Sequence, residues 1–248
     1  MSTATVTHSE SGTNVTEIAS GIYRISTPVP PTVIPGGFTF NQFLLVDDEP
    51  LLFHTGLRKL FPLVHQAVAH VLGDASKLRH IGFSHFESDE CGALNDWLAI
   101  APQAQPVCSM VAAMVSVNDF AERPARGLAD GEELAIGSRK LRWLDAPHLP
   151  HNWECGYMFE STTRTLLCGD LFTQGGHDVA PLTDKEILGV TVATHKAGLS
   201  GMSNDAGARA ILDKLARTEP TTLATMHGSS YRGNGAAMLR GLADALAA

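Results

Sequence analysis

Residues 84–95 read SHFESDECGALN. His85, Glu87 and Asp89 stand at alternate positions directly after an apolar run, so in an extended loop their side chains point the same way and can converge on one ion. Three further stretches offer donors of the same kind. His148 and His151 lie in the proline-bearing loop PHLPHNWECG. Asp170 lies in LLCGDLF, where Gly169 lets the chain turn sharply. His227 lies in LATMHGSS, straight after an apolar run, and Gly228 lets the chain turn away from a ligand. Each stretch alone has a structural reading: a chance triplet, a helix-capping aspartate, a satisfied core histidine. Together His85, His151 and His227 with Glu87, Asp89 and Asp170 supply three imidazoles and three carboxylates at the ends of strand-like runs. That inventory suits a two-metal centre in which one carboxylate bridges.

The elements that would carry these residues are legible from pattern. GIYRIS, NQFLLV and PLLFHTG are short runs rich in branched and aromatic residues and read as strands, with a proline- and glycine-rich loop at 27–37 between the first two. Residues 58–73 carry apolar positions at helical spacing and close on Gly73. LRHIGFS reads as the strand that delivers His85, and Glu90 to Ile100 as a helix. The second half repeats the logic: hairpins within 131–147 and 156–170, an amphipathic helix over 205–217, a strand TTLATM and a terminal helix over 235–248. Strands then helices, twice, implies two sheets packed face to face, each covered by helices. Residues 1–14 read as a flexible tail, and 15–248 as one domain.

Composition narrows the function. The chain has 248 residues, 44% hydrophobic and 18% charged, enough to bury a sizeable core, and its net charge of −8 argues against a general nucleic-acid binder. Cys91, Cys108, Cys155 and Cys168 form no CxxC pair, so neither a cysteine-rich zinc site nor a disulfide framework is expected. No apolar run approaches the roughly 18–20 residues that span a bilayer, and the polar N-terminus lacks a signal core, so a cytoplasmic protein is expected.

The order and spacing of 85/87/89, then 151, 170 and 227, resemble the metallo-β-lactamase fold superfamily, whose hallmark is HxHxDH followed by a distant His, Asp and His. The resemblance implies an α/β, four-layer αββα sandwich. Glu87 at the second position makes the motif similar to HxExDH of the flavodiiron proteins and related oxygen-binding diiron proteins. A carboxylate in place of imidazole hardens the site and favours iron over redox-silent zinc. The resemblance implies two iron ions, one held by His85, Glu87 and His151, the other by Asp89 and His227, with Asp170 between them. Zinc or manganese would enter on misloading or in a hydrolase.

The motif departs at Glu90, where the family has histidine; Glu90 either ligates or begins the helix, where a carboxylate favours the dipole. His54 stands where the superfamily has a structural aspartate and is read as a hydrogen-bonding neighbour of the ligands. His148 is an outer loop residue and the substitute should His151 not ligate, while Phe86 and Trp153 are expected to wall the cavity. His177 and His195 are read as surface residues, with a pocket-lining, proton-handling role as the alternative. Flavodiiron proteins continue into a flavodoxin domain that binds FMN, whereas this chain stops at Ala248. No FMN site is expected, and electrons would come from an external donor protein or another subunit; a homodimer is compatible.

Three functions follow: a diiron protein that binds and reduces dioxygen or nitric oxide, a binuclear hydrolase of an ester, thioester or lactone, and a non-catalytic oxygen sensor. Glu87 favours the first and third over the second.

Overall fold

The computed structural model describes residues 3–202 and 206–247. The strand-forming runs assemble into two sheets. The first contains β1 (Thr5–His8), β2 (Thr13–Ala19), β3 (Ile22–Val29), β4 (Phe38–Leu45), β5 (Leu51–Phe53), β6 (His80–Gly82), β7 (Gln105–Ser109) and β8 (Arg126–Leu128), which lie side by side in chain order. The second contains β9 (Glu133–Ala135), β10 (Lys140–Asp145), β11 (Gly156–Glu160), β12 (Thr165–Leu167), β13 (Leu182–Thr183), β14 (Thr222–Ala224) and β15 (Ser230–Arg232), ordered β13-β15-β14-β12-β11-β10-β9. The helices are α1 (Phe61–Leu72), α2 (Ser88–Cys91), α3 (Leu94–Ile100), α4 (Met110–Ala112), α5 (Asn118–Phe120), α6 (Leu188–Lys196), α7 (Ala206–Ala216) and α8 (Gly235–Leu246); a π turn, Ala113–Val117, joins α4 to α5.

Strand alternation builds the layers. In β4 and β5, Phe43, Leu45, Leu51 and Phe53 face the second sheet, whereas Leu44 and Leu52 face helices α1 and α3. In β11, Met158 faces the first sheet and Tyr157 and Phe159 face α7 and α8. The period of two therefore serves both faces of each sheet at once. Among the described residues three apolar cores result, one under α1 and α3, one between the sheets and one under α7 and α8. Three cores separate four layers, the αββα order read from the sequence.

Each sheet has a parallel part. β5, β6, β7 and β8 run together, as do β12 and β14. Loops leaving β5, β6, β12 and β14 carry His54, His85, Asp170 and His227. Ligand-bearing loops in α/β sheets gather at such carboxyl ends.

Several expectations change. The residues read as a flexible tail include a strand: β1 pairs antiparallel with β2, from Thr5↔Val15 onward. The backbone hydrogen bonds to a neighbouring strand order a stretch whose composition is polar. The helix expected from Glu90 to Ile100 is two pieces interrupted at Gly92, whose Cβ, if present, would strike the Ser88 carbonyl. β3 runs on to Val29, inside the stretch read as a loop. α6 went unread because its LGVTVATHK run lacks an apolar stripe. Position 205 of the expected 205–217 helix, and Ala248 of the terminal one, lie outside the described residues.

Candidate metal centre

The loop after β6 turns His85, Glu87 and Asp89 to one side, as alternation requires. His85 Nε2, Glu87 Oε2 and His151 Nε2 form a triangle with sides of 3.1, 2.8 and 3.0 Å. Metal–ligand bonds of about 2.0–2.1 Å set neighbouring donors about 3 Å apart, so this triangle has the size of one face of a coordination shell. A second cluster contains Asp89, Glu90 and His227, with donor atoms within 4.8 Å of one another. Asp170 divides its carboxylate between the two. Oδ2 lies 3.8 Å from both His85 Nε2 and His151 Nε2, whereas Oδ1 lies 3.2 Å from His227 Nε2. His227 also faces Asp89 Oδ2 at 3.4 Å.

Gly169 makes Asp170's placement attainable. It has φ +49, and a Cβ there would stand 2.7 Å from Ser84 Oγ. Glycine thus lets the end of β12 cross from one sheet toward the loop of the other. Gly228, at φ +90, turns the chain away after His227.

The buried polar atoms test whether cations fit here. Glu90 is fully buried, no N–H or hydroxyl group donates to either of its carboxylate oxygens, and the polar group it meets is the Asp89 carboxyl, a second acid. Burial pushes the Glu90 carboxyl well up, and the neighbouring Asp170 and Asp89 push it further. Burial would also raise Asp170, but the imidazoles of His227, His85 and His151 prevail and hold it at about 2. Burial pulls His227 down, yet Asp170 and Asp89 outweigh it and raise His227 to about 10. The hydrogen bonds from His151 and His85 hold Glu87 well below the usual carboxylate range. Four carboxylates converge with three imidazoles and no lysine or arginine within 4.0 Å among the described residues, a site whose like charges divalent cations would satisfy.

Each imidazole is fixed from behind. His85 Nδ1 lies 2.9 Å from Ser84 Oγ, which lies 3.1 Å from His54 Nε2. His227 Nδ1 donates to the Thr39 carbonyl at 2.7 Å. The backbone of Gly201 hydrogen-bonds the His151 ring. With Nδ1 engaged in His85 and His227, Nε2 is the nitrogen each presents to the centre. His54 is buried, sits at φ 68, and has its other nitrogen 2.9 Å from Met226 Sδ. Burial lowers it to about 3, so it is a neutral imidazole, placed beside the centre as its position in the sequence implies. Sequence reasoning missed Ser84, Thr39 and Gly201. Only Ser84 had a signal, its adjacency to His85, because the other two arrive from distant loops.

Three of the positions expected near the centre lie elsewhere. Phe86 points away from the donors, as the residue between two inward positions must, and its ring packs on Phe120 at 5.5 Å. Trp153 is 57% exposed, while the next residue, Glu154, is buried and accepts from the Phe86 amide. Neither aromatic residue lines the cavity over the centre. His148 is exposed, at φ 63, three residues before the His151 that does reach the cluster. Glu90 lies in the first turn of α2, where the helix-start alternative puts it, with Glu87 as the N-cap, and its oxygens meet no backbone amide. His177 and His195 are half-buried, the latter 2.9 Å from Ser200 Oγ.

A cavity of about 750 Å³ opens over the donors. Glu87, Asp89, His151, Asp170 and His227 form its floor, and Phe38, Phe40, Val190 and Leu199 much of its wall. The Phe38 ring packs against His227 at 4.3 Å between centroids.

Comparison with known proteins bears on the family and the fold. The family described as ODP family beta lactamase matches residues 38–228. Diflavin flavoprotein A 2 of Synechocystis sp. is 30% identical over 139 residues, which cover 55% of this chain and 24% of that protein. Rubredoxin-oxygen oxidoreductase of Megalodesulfovibrio gigas is 25% identical over 147 residues, covering 58% of this chain and 36% of that protein. The match takes in a minority of each curated relative's length. The solved rubredoxin oxygen:oxidoreductase from Desulfovibrio gigas superposes with a TM-score of 0.76 at 18% identity, over 93% of this chain and 61% of that one. The likeness to solved structures is one of fold. No helix of the described residues is long and apolar enough to cross a membrane.

Proposed function

The chain belongs to the ODP beta-lactamase family, and from that premise we propose that it is a non-haem diiron protein that reduces dioxygen or nitric oxide with electrons from an external donor. The observation that carries the reading is the donor set: Glu87 closes the first cluster against His85 and His151, and Asp170 spans both clusters. His85, Glu87 and His151 would hold one ion, Asp89 and His227 the other, with Asp170 shared. An iron pair so held would supply one-electron redox chemistry toward a small diatomic molecule. The protein's own part is positioning and exclusion. Ser84 and the Thr39 carbonyl fix the His85 and His227 rings, so their Nε2 atoms need no reorganisation on binding. Neutral His54 backs Ser84 without adding charge. Phe38 and Phe40 cover one flank of His227, and the apolar wall limits water there while admitting an uncharged gas. The name of one relative, rubredoxin-oxygen oxidoreductase, supports oxygen as acceptor and a small redox protein as donor.

The cavity's size supports a second reading. About 750 Å³ exceeds what a diatomic molecule needs and lies within the range of small-molecule pockets. In that reading the same ions serve a hydrolase of an ester, thioester or lactone.

One experiment separates the two. Chain loaded anaerobically with ferrous iron and reduced is mixed with oxygen in a stopped-flow cell, and parallel samples receive an ester and lactone panel. The expected result is a near-ultraviolet ferric absorption on mixing, and consumption of oxygen or nitric oxide sustained only with a rubredoxin-type donor. Hydrolysis by the loaded sample, abolished by His85→Ala and unaccompanied by any oxygen-dependent change, would establish the hydrolase instead. A spectral change with no sustained consumption under any donor would indicate a sensor.

A further inference from the structure

We propose that Glu90 is a direct ligand of the second metal, which makes the two metal positions chemically unequal. The inference rests on the diiron reading above for the identity of the ions, though not for the existence of the site.

The argument begins with what Glu90 lacks. Its side chain is fully buried, no N–H or hydroxyl group donates to either carboxylate oxygen, and the polar group beside it is the Asp89 carboxyl, a second acid. The other buried glutamates are partnered: Glu154 accepts from the Phe86 amide, and Glu160 from the Thr162 and Thr163 amides. A buried carboxylate with nothing to accept from costs several kcal/mol unless a cation meets it. No lysine or arginine approaches it within 4.0 Å among the described residues; the nearest basic group is His85 Nε2, at 3.8 Å. Glu90 instead aims where Asp89 and His227 aim, its donor atom within 4.8 Å of theirs. Its place on α2 explains the aim. The N-cap of that helix is Glu87, so Asp89 and Glu90 both fall in its first turn, and the turn presents both to the centre.

Counting donors then separates the positions. The first has two imidazoles, His85 and His151, with Glu87 and the shared Asp170. The second has one imidazole, His227, with Asp89, Glu90 and the shared Asp170. More carboxylate and less imidazole makes the second position harder and more anionic. It favours manganese and ferric iron, and the first favours borderline ions such as cobalt and zinc.

The test uses Co2+ and Mn2+ as probes, so it does not depend on oxygen chemistry. Wild type, Glu90→Gln and Glu90→His are titrated calorimetrically with Co2+, the cobalt visible spectrum is followed, and Mn2+ is added to samples holding one equivalent of Co2+. Wild type is expected to bind two Co2+ per chain in two distinguishable steps. Glu90→Gln is nearly isosteric; its second step should weaken by at least about 100-fold, the upper end of what changes outside the coordination shell cost. Glu90→His should restore two-ion binding with an altered spectrum for the second ion alone, and with lost preference for Mn2+ there. Glu90→Gln binding two Co2+ with wild-type affinities and spectrum would overturn the proposal. So would Glu90→His with an unchanged second-ion spectrum, and that variant decides the matter should Glu90→Gln fail to fold by circular dichroism. Wild type that ignores oxygen while Glu90→Gln still loses the second ion would remove the diiron reading and leave this inference standing.

Discussion

At the residue scale, the proposed centre would depend on atoms outside the donor set. Ser84 Oγ sits between His54 and His85, and it is the only hydrogen-bond partner behind the His85 ring among the described residues. Ser84→Ala should therefore keep the fold and weaken Co2+ at the first position by about 10- to 100-fold, which calorimetry would show; unchanged affinity would mean that packing alone orients the ring. Proton competition gives a second prediction. In the metal-free chain His227 is raised to about 10, above its unfolded value of about 6.5, by Asp170 and Asp89 against the opposing effect of burial. A raised imidazole stabilises the fold fully below about pH 6.5 and loses that stabilisation as pH rises toward 10. An ion at His227 Nε2 must displace that proton. Affinity at the second position should thus rise about tenfold per pH unit between about pH 7 and 9, measured by competitive Co2+ titration; a flat profile would remove His227 from the ligands.

At the element scale, the strand ends hold the two halves of the centre in register. Gly169 ends β12 at positive φ and packs against Ser84, so it couples the second sheet's bridging carboxylate to the first sheet's histidine. Gly169→Ala places a methyl group in that contact and forces an L-residue into the left-handed region, at a cost of roughly 1–3 kcal/mol. The thermal midpoint should fall by about 2–4 °C per kcal/mol, and His85-dependent metal binding should weaken with it. A drop in midpoint with wild-type metal affinity would show that the contact serves stability alone.

At the scale of the whole molecule, the centre is an electrostatic seam between sheets. Glu87, Asp89 and Glu90 come from the first sheet's side and Asp170 from the second's, so a metal-free chain brings like charges together where the sheets meet. Each site filled should stabilise the chain by about 2.7 kcal/mol at a free ion concentration one hundred times its dissociation constant. Chelation should reverse the gain, as read by calorimetry of loaded and chelator-treated samples. Asp170→Ala, which removes the carboxylate shared by both clusters, should lose both ions together and show no such gain. Retention of two ions per chain by that variant would overturn the bridging role.

What the sequence made legible by itself was the set of side chains that converge at the strand ends and the layer order. Alternation of Phe43, Leu44 and Leu45 writes both faces of a buried strand into adjacent residues, and the alternation of His85, Glu87 and Asp89 writes three donors onto one side of a loop. Those are local periodicities, and local geometry suffices to read them. The same periodicity, followed strictly, would have turned Phe86 outward, where the structure has it. Only the tertiary structure decided how Asp170 splits its oxygens, that no N–H or hydroxyl group donates to Glu90, and that Thr39 and Gly201 back His227 and His151. Each depends on approach between segments far apart in the chain. It also decided that Thr5–His8 is a strand, because an edge pairing depends on the neighbour's backbone and leaves no signature in side-chain pattern. Burial is likewise a property of the assembled layers, and burial is what turns an ordinary glutamate at position 90 into a group that calls for a cation.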